Sequence, residues 1–110
     1  MSETEEKGVI LVVDDEKEVT MSLKGFFTAL GYDMLAALDG NEALNVINSI
    51  KNLDLILLDV KMPGVDGIQI LKHIRKTNFK TKVIIITAYD KDVKEEVEKI
   101  GIDGFFAKPI

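Results

Sequence analysis

Short apolar runs alternate along this chain with longer amphipathic stretches. Val9–Val13 is an unbroken aliphatic run, Leu55–Leu58 is a second, and Val83–Ile86 lies at the heart of a third that begins at Lys82. Runs this short, rich in β-branched residues and followed by polar or turn residues, read as strands buried on both faces. Two weaker segments, Tyr32–Ala37 and Gly104–Ala107, read as further strands. Between them the apolar period changes. Lys17–Leu30 carries Val19, Leu23, Phe26, Phe27 and Leu30 at spacings that fit one helix face, and Gly31 offers a left-handed stop. Asp39 with Glu42, and Asp66 with Gln69, have the spacing of capping boxes. The first opens a helix with Ala43, Leu44, Ile47 and Ile50 inward; the second opens one that packs Ile68, Leu71 and Ile74. Asp90 can cap a fourth helix running to about Ile100, with Gly101 as its stop. That helix carries a thin apolar stripe of Val93, Val97 and Ile100. Its pairs Lys91/Glu95, Lys94/Glu98 and Glu95/Lys99 contribute only ~0.2–0.5 kcal/mol each. It is an ordinary solvated helix on the simplest reading, and also the helix readiest to shift. Strand–helix alternation with short links predicts a parallel sheet with helices on both faces. Residues 1–8, with Glu3, Glu5 and Glu6, read as a flexible acidic tail, and residues 9–110 as one domain.

Composition narrows the field. At 46% apolar, 110 residues suffice for one hydrophobic core. The absence of cysteine excludes disulfides and thiolate metal sites. No run reaches membrane-spanning length and no signal-peptide pattern precedes the domain, so a cytoplasmic location without membrane contact is expected. A net charge of −5 argues against direct nucleic-acid binding by this domain.

The chemistry gathers at strand ends. Asp14 and Asp15 follow the first strand, Asp59 the third, Thr87 ends the fourth and Lys108 follows the fifth. Open α/β sheets bind ligands outside the carboxyl ends of their strands. Adjacent central strands bring three carboxylates together there, and like charges resist ionisation. A hard divalent cation resolves the conflict. Mg2+ suits an all-oxygen site, with Mn2+ as a chemical relative, whereas the lack of His and Cys at these strand ends disfavours Zn2+. Asp59, at the end of a buried strand and before the Pro63-Gly64 turn, reads as a nucleophilic carboxylate. The blander readings are helix-capping acids for Asp14 and Asp15, a loop acid for Asp59, a β-branched strand end for Thr87, a surface lysine for Lys108, and core rings for Phe105 and Phe106. His73 falls off the apolar face of its helix and reads as exposed and non-catalytic; Met62 reads as packing.

Val12-Val13-Asp14-Asp15, Leu58-Asp59-Val60-Lys61-Met62-Pro63-Gly64-Val65-Asp66-Gly67, Ile86-Thr87-Ala88 and Gly104-Phe105-Phe106-Ala107-Lys108-Pro109 occur in this order. With these pieces, spread over residues 8–110, the chain resembles the receiver domains of two-component response regulators. The resemblance implies a flavodoxin-like doubly wound five-stranded parallel sheet of order 2-1-3-4-5. It implies that Asp59 is the phosphoacceptor for a histidine kinase or histidine phosphotransfer protein. Asp15, Asp59 and the backbone carbonyl of Lys61 would ligate Mg2+, with Asp14 acting through a metal-bound water. Lys108 would pair with phosphoryl oxygens, Thr87 would hydrogen-bond the phosphoryl group, and Phe105 would be the switch aromatic. The Lys108–Pro109 bond would be cis. Lys61 and Tyr89 stand where the family tunes phosphoryl lifetime, and a long cation with a bulky ring there implies slow self-dephosphorylation. That pair, with Phe-Ala-Lys-Pro, resembles the single-domain receiver of the sporulation phosphorelay. Such domains catalyse their own phosphorylation and are not classed as enzymes.

The family's usual fifth helix is absent from this chain. Either the chain is a piece of a longer protein, which is the expectation here, or a second chain covers the exposed sheet face in a dimer. The effector, whether a domain or a separate protein, is not read from the sequence. The alternatives to a switch are a relay intermediate that passes its phosphoryl group to a histidine phosphotransfer protein, a hydrolase of the haloacid dehalogenase kind, and a pseudo-receiver that binds without being phosphorylated. The hydrolase family needs a second Asp two residues after the first, where this chain has Lys61. The intact acceptor, acid pair, threonine and lysine argue against the pseudo-receiver.

Overall fold

A computed structural model describes residues 8–62, 66–77 and 80–109. The acidic tail up to residue 7 and the Pro63-Gly64 turn lie outside the described residues. The apolar runs form β1 (Val9–Val13), β2 (Asp33–Ala37), β3 (Leu55–Leu58), β4 (Lys82–Ala88) and β5 (Gly104–Lys108). The amphipathic stretches form α1 (Lys17–Ala29), α2 (Gly40–Ser49), α3 (Gly67–Thr77) and α4 (Lys91–Ile100). All strand pairs are parallel and the sheet order is β2-β1-β3-β4-β5. Parallel neighbours require crossovers, and each helix supplies one. No helix among the described residues is long and apolar enough to cross a membrane.

Alternate side chains of the central strands leave on opposite faces of the sheet. Leu11, Val13, Ile56, Leu58, Val83 and Ile85 join one core with residues of α2, α3 and α4. Ile10, Val12, Leu57 and Ile86 turn to the other face, where Leu23 and Phe27 of α1 pack on them. The two faces are covered unequally. On β5 the inward Phe105 is half-buried, whereas Phe106 is 55% exposed.

Several local expectations shift. Phe26 and Leu30 do not pack inward and are 61% and 45% exposed. The packed arc of α1 runs through Thr20, Leu23 and Phe27, and the apolar stripe is wider than the surface α1 meets. Asp39 caps α2 by accepting from Glu42 N at 2.8 Å, but Glu42 reaches back to Leu38 N at 2.9 Å, one residue outside the expected box. Asp66 accepts from Ile68 N. On α4, Lys94 and Glu98 pair at 2.9 Å, while neither Lys91/Glu95 nor Glu95/Lys99 closes to bonding distance. In their place, Lys94 leans over the Phe105 ring at 5.8 Å.

Arg75 clasps the amino-terminal end of the sheet. Its Nε donates to Gly101 O at 2.7 Å, one terminal nitrogen to Thr81 O at 2.7 Å, and the other to Asp103 Oδ2 at 3.0 Å. Asp103 Oδ2 also accepts from Val83 N at 2.8 Å. One guanidinium thereby ties α3, the entry to β4 and the exit from α4, using the planar fork that suits such multidentate contacts.

Candidate functional site

The register of the sheet builds the site. Asp14 N donates to Ala37 O and Asp59 N to Val13 O, so both acids continue the parallel ladder one step past the strands. Buried strands hold the backbone; the side chains then meet at the carboxyl edge. Carboxylate oxygens of Asp14, Asp15 and Asp59 lie within 4.8 Å of one another. Asp14 and Asp59 are buried and Asp15 is exposed.

Both oxygens of Asp59 are occupied. Oδ1 accepts from Thr87 Oγ1 at 2.6 Å and from Lys61 N at 2.9 Å. Oδ2 accepts from Lys108 Nζ at 3.0 Å. Lys108 also meets Asp14 Oδ2 at 2.9 Å and Glu16 Oε1. Three ammonium donors thus face three carboxylates. Burial disfavours the lysine's charge, but its bonds to Glu16, Asp14 and Asp59 outweigh that and raise its pKa above the ordinary lysine range. Burial raises the pKa of Asp14, against the pull of Glu16 N and Lys108. The edge remains short of positive charge, since one ammonium faces Asp14, Asp59 and Glu16 with Asp15 beside them. An all-oxygen donor set with surplus negative charge fits a hard divalent cation such as Mg2+.

Gly67 fixes the floor of this edge. A Cβ there would stand 2.4 Å from Val60 Cα and 2.8 Å from Val60 O, so only glycine lets α3 begin against the residue after Asp59. Met62 is buried as packing. The Lys108–Pro109 peptide is cis.

The expected switch and tuning residues sit around the rim. Thr87 is fully buried. Phe105 meets Tyr89 edge-on at 6.5 Å between centroids, and Tyr89 is 60% exposed. Lys61 Nζ reaches Asp90 Oδ2 at 3.4 Å, while Asp90 Oδ1 caps α4 through Asp92 N and Val93 N. His73 is half-buried and bonds Asn48 at 2.8 Å between α3 and α2, away from the acids. Sequence reasoning missed two participants, Glu16 on Lys108 and Asp90 on Lys61. The third acid after β1 was the available signal for the former.

A doubly wound parallel sheet carrying an acid pair, a strand-end aspartate, a threonine and a lysine at one edge is the flavodoxin-like architecture of two-component signalling domains. More specifically, the chain belongs to the response regulator receiver domain family, which matches residues 10–110. It is 40% identical over 101 residues to sporulation initiation phosphotransferase F of Bacillus subtilis, covering 91% of this chain and 81% of that protein. It spans only 42% of two further curated relatives, both transcriptional regulatory proteins of the same organism. Among solved structures, the receiver domain of Francisella response regulator 1452 matches with a TM-score of 0.84 and 42% identity, covering 94% of this chain and 86% of that one. Response regulator TrrA of Thermotoga maritima, solved in complex with Mg(2+)-BeF, matches with a TM-score of 0.82 and 35% identity, covering 94% and 88%.

Proposed function

We propose that this domain is a phosphoacceptor switch in which Asp59 takes a phosphoryl group from a phosphohistidine of a histidine kinase or histidine phosphotransfer protein. The N–P bond breaks, an Asp59 carboxylate oxygen forms the new O–P bond, and the imidazole leaves with the electron pair. The observation that carries this reading is the double engagement of the Asp59 carboxylate, by Thr87 and Lys61 N on one oxygen and by Lys108 on the other. Phosphoryl transfer needs positioning and charge neutralisation above all. Lys108 and Thr87 are donors already in place for phosphoryl oxygens. Mg2+ supplies further neutralisation when bound, and Asp14, Asp15, Asp59 and the Lys61 carbonyl are the groups that would hold it. The Mg(2+)-BeF complex of the 35% identical TrrA supports that cofactor.

The added charge and acceptor oxygens draw Thr87 from the carboxylate toward the phosphoryl group. Thr87 leads into the chain that opens α4, and Phe105 lies against Tyr89 in the same loop, so the α4/β5 surface is the readout. The domain phosphorylates itself from its donor without being a general enzyme. Lys61 and Tyr89 shield the acyl phosphate and slow its hydrolysis. The similarity to sporulation initiation phosphotransferase F favours a second reading, a cytoplasmic relay intermediate that returns the phosphoryl group to another histidine.

Intact mass after incubation with Mg2+ and acetyl phosphate tests the first step. One added phosphoryl group is expected in the wild type and none in Asp59→Asn. Uptake that persists in Asp59→Asn would overturn the assignment. An adduct lost within seconds at neutral pH would contradict the shielding role, while transfer onward to a histidine phosphotransfer protein would select the relay.

A further inference from the structure

Lys61 has two attachments that pull in different directions. Its backbone amide is fixed to Asp59 Oδ1 at 2.9 Å, so the root of the side chain sits beside the acceptor. Its ammonium is engaged not by Asp59 but by Asp90 Oδ2, at 3.4 Å. Asp90 is itself anchored, because Oδ1 holds Asp92 N at 2.9 Å and Val93 N at 3.2 Å in the first turn of α4. One oxygen of Asp90 therefore serves the helix while the other is left for Lys61. Both partners of the ion pair are partly exposed, at 43% and 36% of side-chain surface. An exposed pair of this kind is weak, and a stronger anion nearby can take its cation.

Resting on the phosphoacceptor reading, we propose that Asp90 is a positioning residue that parks the Lys61 ammonium away from Asp59, and that a phosphoryl group on Asp59 competes with it for that cation. Phosphorylation replaces the single charge of the Asp59 carboxylate with a phosphoryl group carrying close to two, a net gain of about one negative charge at the acceptor. The flexible four-carbon stem of lysine allows the ammonium to change partners without backbone movement. Asp90 then sets how much attraction Lys61 contributes to the phosphorylated state, and the resting pair opposes that state.

The test is calorimetric titration of the whole chain with beryllofluoride in excess Mg2+, at low ionic strength. Asp90→Asn keeps a good N-cap oxygen for α4 while removing the charge that holds Lys61. It is expected to bind beryllofluoride about two- to fivefold more tightly than the wild type, the range set by releasing an exposed pair. Asp90→Ser, a different capping side chain, should do the same. In a Lys61→Met background the gain should vanish, and in molar salt it should shrink. Unchanged or weaker binding in both Asp90 variants overturns the proposal, as does an equal gain with Lys61→Met, which would mean that Asp90 acts through its own charge alone. A wild type that shows no beryllofluoride binding overturns the phosphoacceptor reading instead, and this inference with it.

Discussion

Lys108 and Arg75 are both largely covered cations, 17% and 18% exposed, at opposite ends of the same sheet. Their surroundings differ in kind. Among the described residues Arg75 holds two neutral carbonyls and one carboxylate in fixed directions, and Asp103 answers its charge. Lys108 faces three carboxylates with a single charge. A matched network at the amino end serves cohesion. The unmatched one at the carboxyl end keeps a demand for positive charge that the fold alone does not meet. Both ends use buried polar groups, and the sign of the leftover charge separates scaffold from site.

Arg75→Met should break this contrast most severely. It leaves Thr81 O, Gly101 O and Asp103 without their shared donor, and a loss of about 2–4 kcal/mol is expected. Urea denaturation would measure it, with phosphoryl uptake unchanged wherever the chain remains folded. Gly67→Ala attacks the other end by shape rather than charge, forcing a methyl group onto the Val60 backbone. About 1–3 kcal/mol should be lost, with slower phosphoryl uptake because the residue after Asp59 must shift. Charge removal should have opposite signs at the two ends. In Mg2+-free buffer, Asp59→Asn should raise stability by about 1 kcal/mol by relieving repulsion among the acids. Asp103→Asn should lower stability by a similar amount. A thermal midpoint for Asp59→Asn at or below that of the wild type would contradict the unmatched-charge picture. The smallest effect is in pH. Hydrogen bonding from Val83 N, with help from Arg75 and Lys82, holds Asp103 below the ordinary carboxylate pKa despite its partial burial. A depressed folded pKa gives stability that is present above the unfolded value, near pH ~4, and is lost as pH falls through the folded one. The wild type should therefore lose a fraction of a kcal/mol more than Asp103→Asn on acidification, and the two should run parallel above about pH 5.

The parts legible in the sequence were those fixed by backbone periodicity. Asp14, Asp59 and Thr87 lie at or just past strands whose apolar runs define their ends, so naming the strands placed the acids and the threonine. Lys108 followed from the same logic, although β5 has only half-buried and exposed residues. Long side chains acting across the fold were not legible. Glu16 reaches Lys108, Asp90 takes Lys61, and Arg75 finds Gly101, Thr81 and Asp103, and nothing local in the sequence couples these residues. The apolar count on α1 misled for a related reason. Periodicity reports which residues share a face, but the width of the neighbouring surface decides how many are covered, and Phe26 falls outside it.

The Lys108–Glu16 contact joins residues 92 apart in sequence, and Lys108 meets Asp59 across 49. A ribosome releases the acid pair and Asp59 well before the lysine that pairs with them. Until β5 has emerged and docked beside β4, the aspartate has no ammonium against it. On the proposed phosphoacceptor reading, competence to take up a phosphoryl group therefore arrives late in synthesis, after Asp59 is already in place.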